Sequence, residues 1–257
     1  MKALLLNALH TDLVFTEVDD PRPSTDNEVI VELRAASINR RDLWITKGLY
    51  RGIEQFPIIL GSDGSGVYDG KPVVISPNIK WGDGFYPSDE YNILGLETPG
   101  TFASKLLIDK RNIYPKPPHL SMTQAAALPL AGLTAFRALF TRAALRREEK
   151  VLISGVGGGV ALMACQMAIA IGAEVYVSSS DPDKIEKAVS IGAKGGANYK
   201  NPEDMKKLAS DVGGFNVIID SAGGENKVTG DYLYSDVVNL GFQGGVWGIM
   251  TVNKGHS

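Results

Sequence analysis

Lys150-Val151-Leu152-Ile153-Ser154-Gly155-Val156-Gly157-Gly158-Gly159-Val160-Ala161 is the stretch that decides the fold. Its first five residues read as a short buried strand, and the glycines break that strand at once. The apolar run that follows continues to Ile171, too long for a second strand and long enough for a helix. Strand, glycine turn and helix in that order form a cradle for a dinucleotide pyrophosphate. Glycines let the backbone approach the phosphates, and the helix start offers unpaired N–H groups at the positive end of its dipole. The strict G-x-G-x-x-G spacing fails, because Val160 stands at the third glycine position. A looser small-x-x-Gly-x-x-small form fits Gly155, Gly158 and Ala161, the last small enough for the helix to pack on the sheet. The turn residues Gly155, Val156, Gly157, Gly158, Gly159 and Val160 are therefore candidate cofactor contacts.

The next strand, Glu174-Val175-Tyr176-Val177, ends in Ser178-Ser179-Ser180, where an NAD site usually places an acidic residue for the adenosine ribose. Serine hydroxyls here, with Lys184 one turn into the following helix, suit a 2′-phosphate, and the reading favours NADP over NAD. Asp181 is the rival acidic residue, but Pro182 follows it, and Asp before Pro is a good N-cap with a favoured first helical residue. Lys184 also has an ordinary reading as a solvated helix lysine.

The 257 residues suffice for two packed domains or one large one. A net charge of −3 and a pI near 5.7, without a dense basic stripe, argue against a nucleic-acid surface. The single cysteine, Cys165, falls in the apolar helix after the glycine turn and reads as a small core residue. With no disulfide framework, the composition fits a reducing cytoplasm. Met1 to Leu6 is too briefly apolar for a signal peptide and reads as an edge strand. The apolar stretches 125–140 and 160–173 are too short or interrupted, as at Arg137, to span a bilayer.

Up to about residue 120 the chain is strand-like, with runs such as 28–33 and 72–75 punctuated by prolines. Pro115, Pro117 and Pro118 form a stiff boundary. Beyond it, helical patterns over 123–143, 158–171, 183–191 and 203–211 alternate with strands over 150–154, 174–178 and 215–220. Asn198-Tyr199 is the candidate for the intervening strand. Such alternation means βαβ units on a parallel sheet with right-handed crossovers. The expected fold class is α/β: a β-rich domain over 1–120, then a Rossmann-like NADP-binding domain over 121–257.

Several further stretches accompany these. They are Ala36-Ser37-Ile38-Asn39-Arg40-Arg41-Asp42, Gly48-Leu49-Tyr50, Leu60-Gly61-Ser62-Asp63-Gly64-Ser65-Gly66, Leu128-Pro129-Leu130-Ala131-Gly132-Leu133-Thr134-Ala135 and Ile219-Asp220-Ser221-Ala222-Gly223-Gly224. With the glycine turn, they make the chain resemble the medium-chain dehydrogenase/reductase superfamily, and within it the zinc-independent quinone oxidoreductase branch. The resemblance runs to about residue 224 and weakens over 225–243. It implies a GroES-like N-terminal domain. It implies that Asn39 and Tyr50 face the nicotinamide end, Asn39 as an amide donor and Tyr50 as donor or stacking surface. Thr134 would contact the nicotinamide ribose or carboxamide, and Tyr199 would lie against the adenosine phosphate. Both Asn39 and Tyr50 also have plain structural readings, as an Asx cap and a loop anchor. Asp42 and Asp63 read as holders of loop backbone amides rather than bases.

Zinc-dependent members carry a catalytic Cys where this chain has Asn39 and a His where it has Ser62, and the region 78–99 holds no cysteine of a second zinc lobe. Zinc needs about four N, S or O ligands, and His10, His119 and His256 lack metal spacing, so no metal site is expected. Without that Lewis acid, direct alcohol oxidation loses its means of stabilising an alkoxide. The resemblance then implies NADPH-dependent reduction of a small electrophilic acceptor, a quinone or α,β-unsaturated carbonyl, with no nucleic-acid or membrane partner. Residues 244–251 look like the fifth Rossmann strand and the turn that brings Met250 and Thr251 to the nicotinamide. Family members continue for several dozen residues past this point, so the sixth strand, often the dimer edge, is missing from this sequence. A homodimer stays open on that account. The alternative reading is a truncated relative that binds nucleotide without turnover, an alcohol dehydrogenase-like protein in family name only.

Overall fold

The computed structural model describes residues 1–50 and 55–221 and the backbone of a further strand, Gly248–Thr251. These residues form two compact units, one running from Met1 to Leu130 and one beginning at Ala131.

The first unit carries β1 (Lys2–Leu6), β2 (Val14–Glu17), β3 (Glu28–Ser37), α1 (Arg40–Thr46), β4 (Ile58–Ile59), β5 (Asp63–Tyr68) and β6 (Lys71–Ile75). It continues through β7 (Asn78–Ile79), β8 (Asn92–Ile93), β9 (Lys105–Asp109), β10 (Ile113–Pro115) and α2 (Met122–Ala126). A five-stranded antiparallel sheet has the order β10-β6-β5-β3-β9, and a three-stranded sheet the order β2-β1-β4. Met1 to Leu6 is therefore not an edge strand. β1 lies between β2 and β4, because its residues Ala3 and Leu6 are buried and both its edges find partners. Val29, Val31, Val73, Ile75, Leu106 and Ile108 fill the core of the larger sheet at period-two spacing. Leu6, Ile45, Tyr50, Ile58, Leu60 and Leu96 form a second core under α1.

Three glycines fix the loops around this second core. A Cβ on Gly100 would fall 2.2 Å from the Gly61 carbonyl oxygen, and one on Gly95 would fall 2.5 Å from the same atom. Thr101 N–H donates to Gly61 O at 2.9 Å, so three backbone segments meet with no room for side chains between them. This contact seats Ser62 beside the Leu94 carbonyl.

The helix α3 (Pro129–Phe136) has its first two residues, Pro129 and Leu130, in the first unit and the rest in the second, which also contains β11 (Lys150–Ser154), α4 (Gly159–Ala170), β12 (Glu174–Ser178), α5 (Pro182–Ser190), β13 (Gly195–Ala197), α6 (Pro202–Val212), β14 (Val217–Asp220) and β15 (Gly248–Thr251). The sheet order of the second unit is β13-β12-β11-β14-β15, the first four strands parallel. Val151, Ile153, Val175, Val177, Val217 and Ile219 face the small residues Ala161, Ala164, Cys165 and Ala168 of α4. Leu152 and Ile218 point to the other side, against Met205, Leu208 and Ala209 of α6. Ala161 is fully buried, as the small-residue spacing required, and Cys165 is a core residue whose thiol burial pushes up to about 11. No helix among the described residues is long and apolar enough to cross a membrane.

Three more expectations need correction. The strand after α5 is Gly195–Ala197 rather than Asn198-Tyr199, because a Cβ on Gly196 would come within 2.7 Å of the Val177 carbonyl oxygen and only glycine admits that approach. The helical pattern over 123–143 splits into α2 and α3, since a residue preceding proline disfavours the helical conformation and Leu128 precedes Pro129. Residues Arg137–Arg142 then run on from α3 as a π-helical turn. Lastly, β15 pairs with β14 antiparallel, Gly248 opposite Asp220 and Thr251 opposite Val217, instead of adding a fifth parallel strand. A parallel strand requires a crossover that returns the chain to the opposite end of the sheet, whereas here β15 starts at the end where β14 finishes.

The glycine contact yields a test. Gly100→Ala should destabilise the protein by about 2–3 kcal/mol, because the Leu60–Gly61 backbone facing it must move. A denaturant midpoint unchanged from wild type would contradict this packing.

Candidate functional site

Asn39 ends the extended segment after β3 and is the N-cap of α1. Its backbone N–H donates to the Asp42 carboxylate at 2.7 Å, so the Asn-x-x-Asp spacing closes the first turn. Its side chain does something else: Nδ2 donates to Asp63 Oδ2 at 2.9 Å. The other oxygen of Asp63 accepts from the Leu130 backbone N–H at 2.7 Å, in the first turn of α3. Thr101 Oγ1 donates to the Asp63 carbonyl at 2.7 Å. Asp63 is 1 % exposed, and burial pushes its carboxyl up to about 6, against the lowering effect of the bonds from Asn39 and Leu130. Asp42 is also raised by burial, partly offset by its backbone bonds. Both aspartates hold backbone amides, as read from the sequence; the Asn39 amide is an additional partner of Asp63.

Tyr50 is buried at the end of the loop after α1, in the core with Ile45 and Leu60. The guanidinium carbon of Arg41 lies 5.1 Å from its ring centroid. Arg41 projects inward from the first turn of α1 and is itself 6 % exposed. One of its terminal nitrogens donates to Ser62 Oγ and to Leu94 O, the latter at 2.9 Å, while Ser62 Oγ donates to the same carbonyl at 2.8 Å. This buried cation escaped the sequence reading, since an arginine after a helix cap is ordinarily solvated. The doublet Arg41-Asp42, a cation beside an N3 carboxylate, was the available signal.

In the second unit, Gly155 takes φ 64°, and the Val156 N–H donates back to Ser178 O at 2.9 Å, joining the glycine turn to the end of β12. Gly158 caps α4, and Gly157, Gly158 and Gly159 are exposed. Val160 is half-buried in the first turn of the helix, packed on the sheet core. Of the three serines, Ser178 and Ser179 turn inward. Their hydroxyls accept from the backbone N–H groups of Gly155 (3.4 Å) and Asp181 (3.1 Å), so they shape the turn. Ser180 is half-buried and accepts from the Tyr199 hydroxyl at 3.1 Å, which brings those two predicted residues together. Asp181 caps α5 by accepting from Asp183 N–H at 3.1 Å, the structural role that the Asp-Pro pair implied. Lys184 Nζ lies 3.6 Å from Asp181 Oδ2, and the lysine stem passes so close to the glycine turn that a Cβ on Gly157 would meet its Cδ at 2.8 Å. The solvated reading thus fits the tip of Lys184, while its stem belongs to the turn.

Thr134 is half-buried on α3. Met250 and Thr251 pair with Ile218 and Val217, at the start of β14. That is the opposite end of the strand from Asp220, which accepts from Ser154 Oγ beside the glycine turn. The register does not bring Met250 and Thr251 to the turn. Among the described residues no three His, Cys, Asp or Glu side chains group as a metal site.

Comparison with known proteins follows the two units. Residues 25–118 match the alcohol dehydrogenase GroES-like domain, and residues 159–233 match the zinc-binding dehydrogenase family. The chain is 34 % identical over 240 residues to the zinc-type alcohol dehydrogenase-like protein YogA of Leptosphaeria maculans, covering 82 % of this chain and 66 % of that protein. It is 31 % identical to quinone oxidoreductase-like protein 2 of Bos taurus, covering 95 % of this chain and 69 % of the relative. The chain thus spans about two thirds of the length of the curated relatives it matches. Among solved structures, an NAD-dependent alcohol dehydrogenase aligns with a TM-score of 0.78 at 32 % identity, over 83 % of this chain and 68 % of that one. The quinone oxidoreductase of Thermus thermophilus, solved also with NADPH, aligns at 0.73 and 27 % identity, over 88 % and 68 %. With a GroES-like unit, a Rossmann-type parallel sheet and these relatives, the chain belongs to the medium-chain dehydrogenase/reductase superfamily of oxidoreductases.

Proposed function

We propose that this chain is a zinc-independent, NADPH-dependent oxidoreductase that reduces a quinone or α,β-unsaturated carbonyl by hydride transfer. One observation carries the reading. At the two positions where zinc-dependent relatives hold metal ligands, the Asn39 carboxamide is bonded to Asp63, and Ser62 accepts from the buried guanidinium of Arg41. A cation already bonded to Ser62 is incompatible with a zinc ion at the same side chain, and an amide and an alcohol are poor zinc ligands. The residues present do not fit that metal.

They do fit a nicotinamide dinucleotide. Exposed glycines at the start of α4 form the cradle that a pyrophosphate needs, and Lys184 lies over that turn. When bound, the nicotinamide supplies the hydride. An electrophilic acceptor then needs orientation and a donor for the charge that develops on its oxygen. Asn39 suits the donor role: one amide N–H is committed to Asp63, which fixes the plane of the group, and the amide carries a second N–H. The proton that completes the reduction comes from solvent. NADP rather than NAD is supported by the end of β12, where serines replace the usual acid and Asp181 is occupied as a helix cap. Ser180, Tyr199 and Lys184 are the residues assigned to the adenosine phosphate end.

Three measurements test this reading. The purified protein should oxidise NADPH with members of a quinone and enone panel, retain that activity in a strong chelator, and leave simple alcohols untouched. NADPH binding without turnover of any acceptor would refute the chemistry, and chelator-sensitive alcohol oxidation would refute the mechanism.

Lys184→Ala should weaken NADPH by about 1.5–3 kcal/mol, the contribution of a charge-assisted bond, and leave NADH nearly unchanged. Equal affinity of the wild-type protein for the two nucleotides would overturn the assignment.

The Asp63 carboxyl, raised from 3.8 to about 6 by burial, binds its proton more tightly folded than unfolded. Its ionisation therefore costs stability as pH rises from about 4 to about 7. Wild type should gain about 2 kcal/mol relative to Asp63→Asn when pH falls from about 7 to about 4, read by urea unfolding at both values. A pH-independent difference would contradict the burial of this carboxylate.

A further inference from the structure

No charged residue occurs from Gly159 to Ile171, so α4 is uncharged over its whole length, whereas α5 and α6 carry Asp, Glu and Lys on their exposed sides. A surface helix ordinarily turns a charged face to water, and a helix that is apolar all round is ordinarily covered. The sheet side of α4 is covered, at Ala161, Ala164, Cys165 and Ala168. Leu162, Gln166 and Ala170 form a second row, one turn apart, and that row is exposed, Leu162 by 42 %. Across from it α5 and its C-cap present Lys187 and Ile191, also one turn apart and exposed. A groove of about 490 Å³ lies between the two rows, with the buried residues Val156 and Ala188 as its floor. Past Ile191 the walls close up, since a Cβ on Gly192 would meet Ile169 Cγ2 at 2.9 Å.

We infer that this groove binds a fatty-acid-like anion, its single acyl tail against Leu162, Ala170 and Ile191 and its carboxylate on Lys187. Size, charge and length together choose this occupant. The volume falls within the range of small-molecule sites, about 300–1,000 Å³, which are mostly apolar with a few polar groups that fix orientation. The charged side chains that line the groove are Lys184 and Lys187, and no carboxylate lines it, so its field favours an anion over a cation or a neutral lipid. Lys184 is engaged by Asp181 at 3.6 Å and lies against Gly157, which leaves Lys187 as the partner of the head group. The row from Leu162 to Ala170 rises about 12 Å along α4, so a tail laid lengthwise covers it. The site is distinct from the dinucleotide crevice. In this fold class that ligand crosses the carboxyl ends of the strands, whereas the groove starts at the glycine turn and runs down the outer sides of α4 and α5, away from that edge.

The test is displacement of the fluorescent fatty acid cis-parinarate from the full chain by saturated carboxylates of increasing length, all kept below micelle-forming concentrations. Affinity should rise about fourfold for each added methylene until the groove is full, the equivalent of about 0.8 kcal/mol per buried group. Decanoate should bind about tenfold more tightly than decylammonium, because only the carboxylate pairs with Lys187. Gln166→Glu adds a charge to the groove wall with almost no change of shape, and Lys187→Glu reverses the charge that holds the head group. Both positions are exposed, and each substitution should weaken decanoate about tenfold. Equal affinity for decanoate and decylammonium overturns the inference. So does decanoate binding that neither substitution weakens, since the fatty acid then sits elsewhere. Absence of binding overturns it as well, and a wild-type dimer that Leu162→Asp turns into a monomer in sedimentation would assign the exposed row to a second copy of the chain instead. None of these readouts requires turnover, so they stand whether or not the protein reduces an acceptor.

Discussion

Asp63 accepts from the Asn39 side chain with one oxygen and from the Leu130 backbone with the other, while its own carbonyl accepts from Thr101. The strand β5, the cap of α1, the first turn of α3 and the loop before β9 therefore converge on one residue that solvent does not reach. A carboxylate is suited to this because it is a small side chain with about four lone-pair sites and no donor to satisfy. The cost is desolvation, and it appears as a carboxyl that holds its proton up to about 6. Around this hub the glycine-lined contact of Gly61 with Gly95 and Gly100 removes every side chain that would keep the backbones apart. Buried polar groups on this scale define a unique arrangement, because any slip of a strand would leave several of them unpaired at once.

What could be read from the sequence was governed by local physics. The glycine turn was legible because Gly155 needs a positive φ and α4 needs a small residue at Ala161 to approach the sheet. The cap at Asp181-Pro182 was legible for a similar reason, as both residues act on their own helix. Ser180 was found by its place at the end of β12, Asn39 and Tyr199 through the family resemblance, and the structure adds the partners that fix them.

Misreadings fell where the deciding partner is distant in sequence. Gly195-Gly196 is a poor strand by composition, yet the Val177 carbonyl approaches so closely that only glycine fits. The direction of β15 is a property of pairing, and no local pattern distinguishes a parallel from an antiparallel strand of four residues. β1 looked like an edge because its partner β4, Ile58–Ile59, is two residues long and lies far along the chain. Arg41 was missed on the same principle. Whether an arginine snorkels to solvent or turns inward depends on acceptors such as Leu94 O that the neighbouring sequence does not announce.

The contact of the Lys184 stem with Gly157 has a bearing on how this chain can change over time. A side chain at position 157 would occupy the space now filled by the lysine's methylenes. The two positions are thus coupled, but loosely: a larger residue at 157 would push aside the outer methylenes of a flexible side chain rather than backbone, so the pair can drift in either order. Gly155 keeps its own need for glycine through its positive φ, whatever stands at 184. Variation at 157 would therefore re-aim Lys184 and disturb its ion pair with Asp181 while the turn itself persists.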